Sequence, residues 1–192
     1  MSFQANVQGK ASHAGFNPEA GIHSIKAACE AIAALPQGHI DKETTANIGL
    51  LNGGEGINIV PSSCNIRGEI RSLNHEKALA TAQQYRDTFQ NSAEKYGATL
   101  DWTQQIDIQA YETSTEESII SRYVAACGLC DVEPKLIKTF GGSDNNVFSQ
   151  HGIKGLVIAN SMNNVHSCKE YANVYEMQKV VEVLRVLVME IE

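Results

Sequence analysis

The sequence predicts a two-part α/β protein: an α+β sandwich over residues 1–111, then part of a layered α/β domain over residues 112–192. Three observations predict it. Before residue 111, strand-like and helix-like segments follow one another as strand-helix-strand-strand-helix-strand, the split βαβ order of a ferredoxin-like βαββαβ sandwich. After it, helical and strand-like segments alternate singly, which suits layered α/β packing. The only composition break falls at Glu112-Thr113-Ser114-Thr115, and no repeat or low-complexity run interrupts either part.

Val7 to His13 reads as the first strand. Asn17-Pro18-Glu19 reads as a helix start, with a capping side chain, a proline in the first turn and an acid favoured by the helix dipole. Ile22, Ile25, Cys29, Ile32 and Leu35 then recur at helical spacing until Pro36. Thr45 to Leu51 is a second strand closed by Asn52-Gly53-Gly54. The third lies within Ile57–Ser72, where Cys64, Ile66, Gly68 and Ile70 alternate with Asn65, Arg67, Glu69 and Arg71. That is period two, with one face buried and one wet. Asn74 caps a helix whose stripe is Ala78, Ala82, Tyr85, Phe89, Ala93 and Tyr96, stopped by Gly97. Leu100 to Ala110 is the fourth strand, with Trp102, Ile106 and Ile108 on one face. Two helices should therefore cover one sheet face and leave the other, carrying Arg67, Glu69 and Arg71, open.

In the second part a helix carries Ile119, Ile120, Tyr123, Val124 and Cys127. Strand Lys135–Phe140, a glycine turn, a short helix Asp144–Gln150 ended by Gly152, and strand Ile153–Ala159 follow. After a polar loop comes a long helix with the stripe Met177, Val180, Val181, Leu184, Val188 and Ile191.

Bulk properties exclude several functions. A net charge of -7 opposes nucleic acid as a partner, since phosphate binding needs a basic face. No apolar run reaches the roughly 18 residues of a membrane span, and Met1 to Lys10 lacks a signal-peptide core. The five dispersed cysteines fit reduced thiols in a cytoplasm. Cys127-Gly128-Leu129-Cys130 has redox spacing but ends an apolar helix, where two small core residues are the simpler reading.

Candidate chemistry sits in four places. Gly141, Gly142 and Ser143 follow a strand and open a helix, so their N–H groups could meet an anion or a polarised carbonyl; an ordinary capped turn is the alternative. His166 lies in a polar loop after a buried strand, where an imidazole could ligate zinc with Glu170 orienting the loop, or simply be a surface histidine. His13 follows the first strand among small neighbours and could donate to a developing oxyanion, or be solvated in a turn. Asn58 could donate to a carbonyl. Arg71 could hold a carboxylate through two parallel bonds, or pair across the wet face. His39-Ile40-Asp41 and Glu116-Glu117 imitate site motifs, but the first lies in a polar connection and the second opens a helix.

Gly9–Gly15 (GKASHAG), Gly53–Ser72 (GGEGINIVPSSCNIRGEIRS), Phe140–Phe148 (FGGSDNNVF) and Val165–Glu170 (VHSCKE) together resemble the zinc-dependent exopeptidases and deacylases that include peptidase T, carboxypeptidase G and succinyl-diaminopimelate desuccinylase. GEIRS and GGSDNN are most similar to the peptidase T-like branch. The resemblance implies that residues 1–111 are a dimerisation lid and 112–192 the C-terminal part of the catalytic domain. It implies that His13 reaches across a homodimer into the partner's site, that Asn58, Arg71, Gly141, Gly142 and Ser143 contact a small peptide, and that His166 is a metal ligand. Two divalent metals, zinc by resemblance, serve the intact enzyme.

The family's His-x-Asp motif, bridging aspartate and general-base glutamate precede the lid, where this chain begins. The chain is therefore expected to be a fragment that neither binds catalytic zinc nor cleaves peptides alone. Two further readings stand beside it: a noncatalytic dimerisation module and an amino-acid-sensing regulatory domain. Fold alone does not separate them.

Overall fold

The computed structural model describes residues 1–189, in two compact units, Met1–Ala110 and Tyr111–Glu192. In the first unit the elements are β1 (Ser2–Gln8), α1 (Ser24–Ala34), β2 (Gly38–His39), β3 (Thr44–Gly53), β4 (Ser63–Ser72), α2 (His75–Lys95) and β5 (Thr99–Gln105). The predicted βαββαβ order is present. The sheet has the order β2-β3-β4-β1-β5, and every neighbouring pair is antiparallel. The two-residue β2 is an unpredicted fifth strand; it borders β3 only at Thr45 and Ala46.

β1 begins at Ser2, earlier than the sequence suggests, because Phe3, Ala5 and Val7 already alternate with Gln4, Asn6 and Gln8; the first three are buried. After Gln8 the chain leaves the sheet. Lys10 bridges Ile22, and a Cβ on Gly9 would lie 2.1 Å from the Ile22 carbonyl oxygen, so only glycine allows this approach.

The helix start expected at Asn17 is a single 3-10 turn, Pro18–Ala20. Gly21 interrupts it. α1 starts instead behind His23, whose Nδ1 accepts the Lys26 N–H at 3.3 Å. Its buried face is Ser24, Ala27, Ala28 and Ala31, continued by Leu35; Ile22, Ile25 and Ile32 flank the core, and Cys29 is exposed. The reason is close helix packing. Ser92 of α2 donates to the Ala27 carbonyl oxygen at 2.8 Å, an approach that small residues permit and larger ones block.

α2 follows its predicted stripe: Ala78, Ala82, Tyr85, Phe89 and Ala93 are buried, and Asn74 Oδ1 accepts the Lys77 N–H at 3.1 Å. The Tyr85 hydroxyl donates to the Pro36 carbonyl oxygen, so this fully buried ring keeps its polar atom satisfied. Both helices lie on the sheet face that presents Cys64, Ile66 and Ile70. Arg67 and Arg71, on the opposite face, are exposed. β5 ends at Gln105, so Ile106 and Ile108 fall outside the strand and are about half exposed, at 49% and 46%.

The second unit holds α3 (Ser118–Leu129), α4 (Asn145–Gln150), β6 (Met162–Asn163), β7 (Tyr171–Ala172) and α5 (Val174–Met189). α3 and α5 meet through Ala126 and Cys127 on one side and Val183, Val186 and Leu187 on the other. The stripe expected on α5 is largely wrong. Met177, Val181, Leu184 and Val188 are exposed, and Ile191 lies outside the described residues. α5 is apolar on more than one side, and the small Ala126 and Cys127 receive the side carrying Val183 and Val186.

Lys135–Phe140 and Ile153–Ala159 are not strands. A strand exists only as a paired ladder, and among the described residues no neighbouring segment pairs with either. Leu136, Ile137, Ile153 and Val157 are exposed there. No described helix is long and apolar enough to cross a membrane.

Candidate functional site

In the first unit the loops after β1 and before β4 form a small clamp at one end of the sheet. Ala14 N–H donates to the Asn58 carbonyl oxygen at 2.9 Å, Val60 N–H to that of Ser12 at 2.9 Å, and His13 bridges Ile59. His13 and Asn58, far apart in sequence, are thus brought to one tip, and both are exposed.

The ring of His13 is held in a defined way. Its Nδ1 accepts N–H bonds from Gly15 at 3.1 Å and Phe16 at 3.2 Å. A ring nitrogen that accepts carries no proton, so the neutral imidazole bears its proton on Nε2. That N–H is a donor directed away from its own turn. The Phe16 ring stacks on the imidazole at 4.3 Å between centroids and 26° between planes. Sequence reasoning passed over Phe16; the available signal was an aromatic residue in a polar turn three positions after a histidine.

Arg71 lies elsewhere. It lies eight positions along β4 from Ser63, which pairs with Gln8 at the His13 end. At about 3.3 Å per residue that is roughly 26 Å. The guanidinium forms a two-pronged pair with Glu69, Nε to Oε1 at 3.1 Å and Nη2 to Oε2 at 2.9 Å. Both partners are nearly half exposed, so the pair adds little stability.

In the second unit the glycine turn is tied to its own chain. Gly141 N–H donates to Thr139 Oγ1 at 3.0 Å, and Ser143 N–H to Asn146 Oδ1 at 2.9 Å. The helix cap expected from the Ser143 or Asp144 side chain is not formed: the Asp144 side chain makes no capping bond, and Asn146 reaches back only to the amide of Ser143, one residue before the cap position. Gly142 lies exposed between the two tied residues. Asn145 is buried and donates to the Tyr111 hydroxyl at 2.7 Å.

His166 sits at the turn between β6 and β7, a hairpin where the sequence predicts a loop. Its φ is 63° and that of Asn164 is 52°, left-handed values to which Asn and His are better suited than most residues. Glu170 does steady this loop, through the backbone: its Oε2 accepts the His166 N–H at 2.6 Å. Ser167 Oγ donates to the Asn164 carbonyl oxygen at 2.7 Å. The imidazole itself is exposed.

The two imitation motifs have structural partners. Asp41 pairs with Lys77 at 2.9 Å, and that hydrogen bond holds its carboxyl below the usual aspartate range. Glu117 precedes α3 and pairs with Lys154 at 3.2 Å. All five cysteines are free thiols. Burial pushes the Cys64 thiol up to about 11, with Cys29 adding to the effect.

Residues 1–97 match the profile of the peptidase dimerisation domain of the M20 peptidases. The chain belongs to that family. Over 187 residues the M20 chain is 32% identical to the uncharacterized protein YqjE of Bacillus subtilis, covering 97% of this chain and 50% of that protein. It superposes on aminopeptidase PepT from Bacillus cereus with a TM-score of 0.87 and 33% identity, covering 97% of this chain and 50% of that one. The fold is shared at 17% identity and a TM-score of 0.70 with the Bacillus subtilis protein YXEP, described as a dinuclear metal-binding peptidase of the M20 family; there 100% of this chain and 50% of that one are covered. The M20 chain thus spans about half the length of these relatives. Among its described residues no three His, Cys, Asp or Glu side chains are grouped to hold a metal. His166 offers one imidazole, whereas a catalytic zinc takes three protein ligands, so the residues present do not by themselves fit a catalytic metal.

Proposed function

We propose that this chain is the lid and the C-terminal catalytic segment of a peptidase T-like metallo-aminopeptidase that cleaves di- or tripeptides as a cytoplasmic homodimer. The observation that carries the proposal is the ring of His13, whose Nδ1 is occupied by two backbone amides, leaving Nε2–H as a directed donor. A directed donor at a site tip suits the oxyanion of an attacked peptide carbonyl. Asn58, on the same tip, is proposed to donate to the same substrate.

Arg71 is proposed to hold the peptide's carboxylate after exchanging Glu69 for it. A small peptide does not span the roughly 26 Å that strand geometry puts between Arg71 and the His13 end. On this reading the two groups that meet one substrate come from two copies, which accords with the dimerisation domain that residues 1–97 match. Gly141, Gly142 and Ser143 are proposed to border the peptide.

His166 is proposed as one ligand to a pair of divalent ions, zinc being the reading from resemblance, whose other ligands lie outside this chain. Such ions, when bound, polarise the scissile carbonyl and lower the pKa of water. This chain's own contribution is to bind, orient and donate. The cytoplasmic reading rests on the five unpaired thiols.

The test is hydrolysis of dialanine and trialanine by the purified 192-residue chain and by a full-length protein that carries it, each assayed for bound zinc. Turnover by the full-length protein with none by the chain alone is the expected result. Stoichiometric zinc on the chain alone, or turnover by it, would overturn the proposal. A second reading, a noncatalytic dimerisation module, draws on the same family match. It gains if the full-length protein dimerises but has no peptidase activity.

A further inference from the structure

We infer that Phe16 is a positioning residue for His13, fixing both the orientation of its ring and the nitrogen that carries its proton. The inference rests on the proposed role of His13 as a donor and extends it to a residue with no assigned part in the site. Phe16 engages the imidazole twice. Its backbone N–H donates to Nδ1 at 3.2 Å, and its ring stacks on the imidazole face at 4.3 Å. These two contacts constrain different motions. The amide bond selects the proton-free nitrogen, and the stack opposes rotation about the bond that would carry that nitrogen away from both amides.

Phe16 has no competing structural duty. It is 87% exposed, and the only ring it stacks on among the described residues is that of His13. The clamp beneath it is braced independently, by the Ala14–Asn58 and Val60–Ser12 bonds, so loss of the ring leaves the tip folded. Without the stack, an exposed imidazole rotates, its Nδ1 leaves the amides for part of the time, and Nε2–H no longer points in one direction.

The experiment is nitrogen-15 NMR of the histidine rings in the 192-residue chain, at about pH 8, above the ordinary histidine pKa of about 6.5. His13 is assigned by comparison with His13→Gln. In the unsubstituted chain its Nδ1 is expected to show the shift of an unprotonated acceptor and Nε2 that of an N–H. In Phe16→Ala, and equally in Phe16→Leu, which keeps bulk without the ring, the two shifts are expected to converge. The excess of the Nε2–H form should fall roughly twofold to tenfold, the range that an aromatic contact supports. Phe16→Tyr is expected to restore the starting spectrum. Unchanged His13 shifts in Phe16→Ala, a proton on Nδ1 in the unsubstituted chain, or failure of Phe16→Tyr to restore the spectrum would each overturn the inference. The signals of Phe3, Tyr85 and Trp102 report whether the core is intact. Because the readout is a ring shift rather than turnover, it is decided separately from the proposed catalytic role of His13.

Discussion

Phe3 and Gly68 face each other across β1 and β4, and the phenyl ring occupies the space that a side chain at position 68 would fill. A Cβ there would lie 2.5 Å from Phe3 Cζ and 2.5 Å from the Asn47 carbonyl oxygen. The ring is held by Trp102, stacked at 4.9 Å, and by Tyr85, edge-on at 5.7 Å, so it has nowhere to retreat. Gly68→Ala is expected to destabilise the first unit by about 1–3 kcal/mol, the usual cost of overpacking, read as a lower denaturant midpoint. An unchanged midpoint would show that β3 and Phe3 can give way.

Glu30 joins the two helices at their outer edge. Its carboxylate receives Lys95 Nζ at 2.6 Å and the Tyr96 hydroxyl at 2.6 Å. The Lys95 hydrogen bond, then that of Tyr96, lowers its pKa below the ordinary 4.5. A carboxyl depressed in the folded state stabilises the fold above its unfolded pKa, and the contribution fades as acid protonates it. Stability should therefore decline on acidification below about pH 4.5, and Glu30→Gln should remove part of that decline. Identical acid profiles for the two proteins would discount the pairing.

Thiol reactivity should divide by burial. Cys29 and Cys168 are exposed, while Cys64 and Cys127 are buried, and the Cys64 thiol stands at about 11. Alkylation of the native chain followed by mass spectrometry is expected to label Cys29 and Cys168 and to spare Cys64 and Cys127 until denaturant is added. Rapid native labelling of Cys64 would contradict the packing of β4.

Amide exchange should separate extended segments that look alike in sequence. Residues of β1 and β4 are paired within a sheet, whereas Lys135–Phe140 and Ile153–Ala159 carry no ladder. Hydrogen exchange in the chain alone should be slow in the first pair and fast in the second. Slow exchange over 135–140 would mean that this segment finds a partner strand in solution.

For a full-length protein that carries this chain, His13→Ala is expected to lower kcat by roughly a hundredfold or more, the cost typical of losing an oxyanion donor. A steady-state assay on a tripeptide reads it directly. An undiminished kcat would remove His13 from that role while leaving the geometry of its ring intact.

The periodicities of β4 and α2, the Asn74 cap and the four motif segments were legible in the sequence, because each depends on neighbours a few residues away, whereas the first strand, expected at Val7–His13, lies at Ser2–Gln8. So was the βαββαβ order. The choice of buried face on α1 and α5 was not, since a helix that is apolar on several sides is oriented by whatever packs against it, here Ser92 for α1 and Ala126 with Cys127 for α5. Nor could the sequence show that two apolar runs would stay without ladders, because strand pairing is a non-local bond. The site divides the same way: residue types marked His13, Asn58, Arg71 and His166, but only the tertiary structure decided that His13 and Asn58 share a tip, that Arg71 lies at the far end of β4, and which ring nitrogen of His13 is free to give its proton.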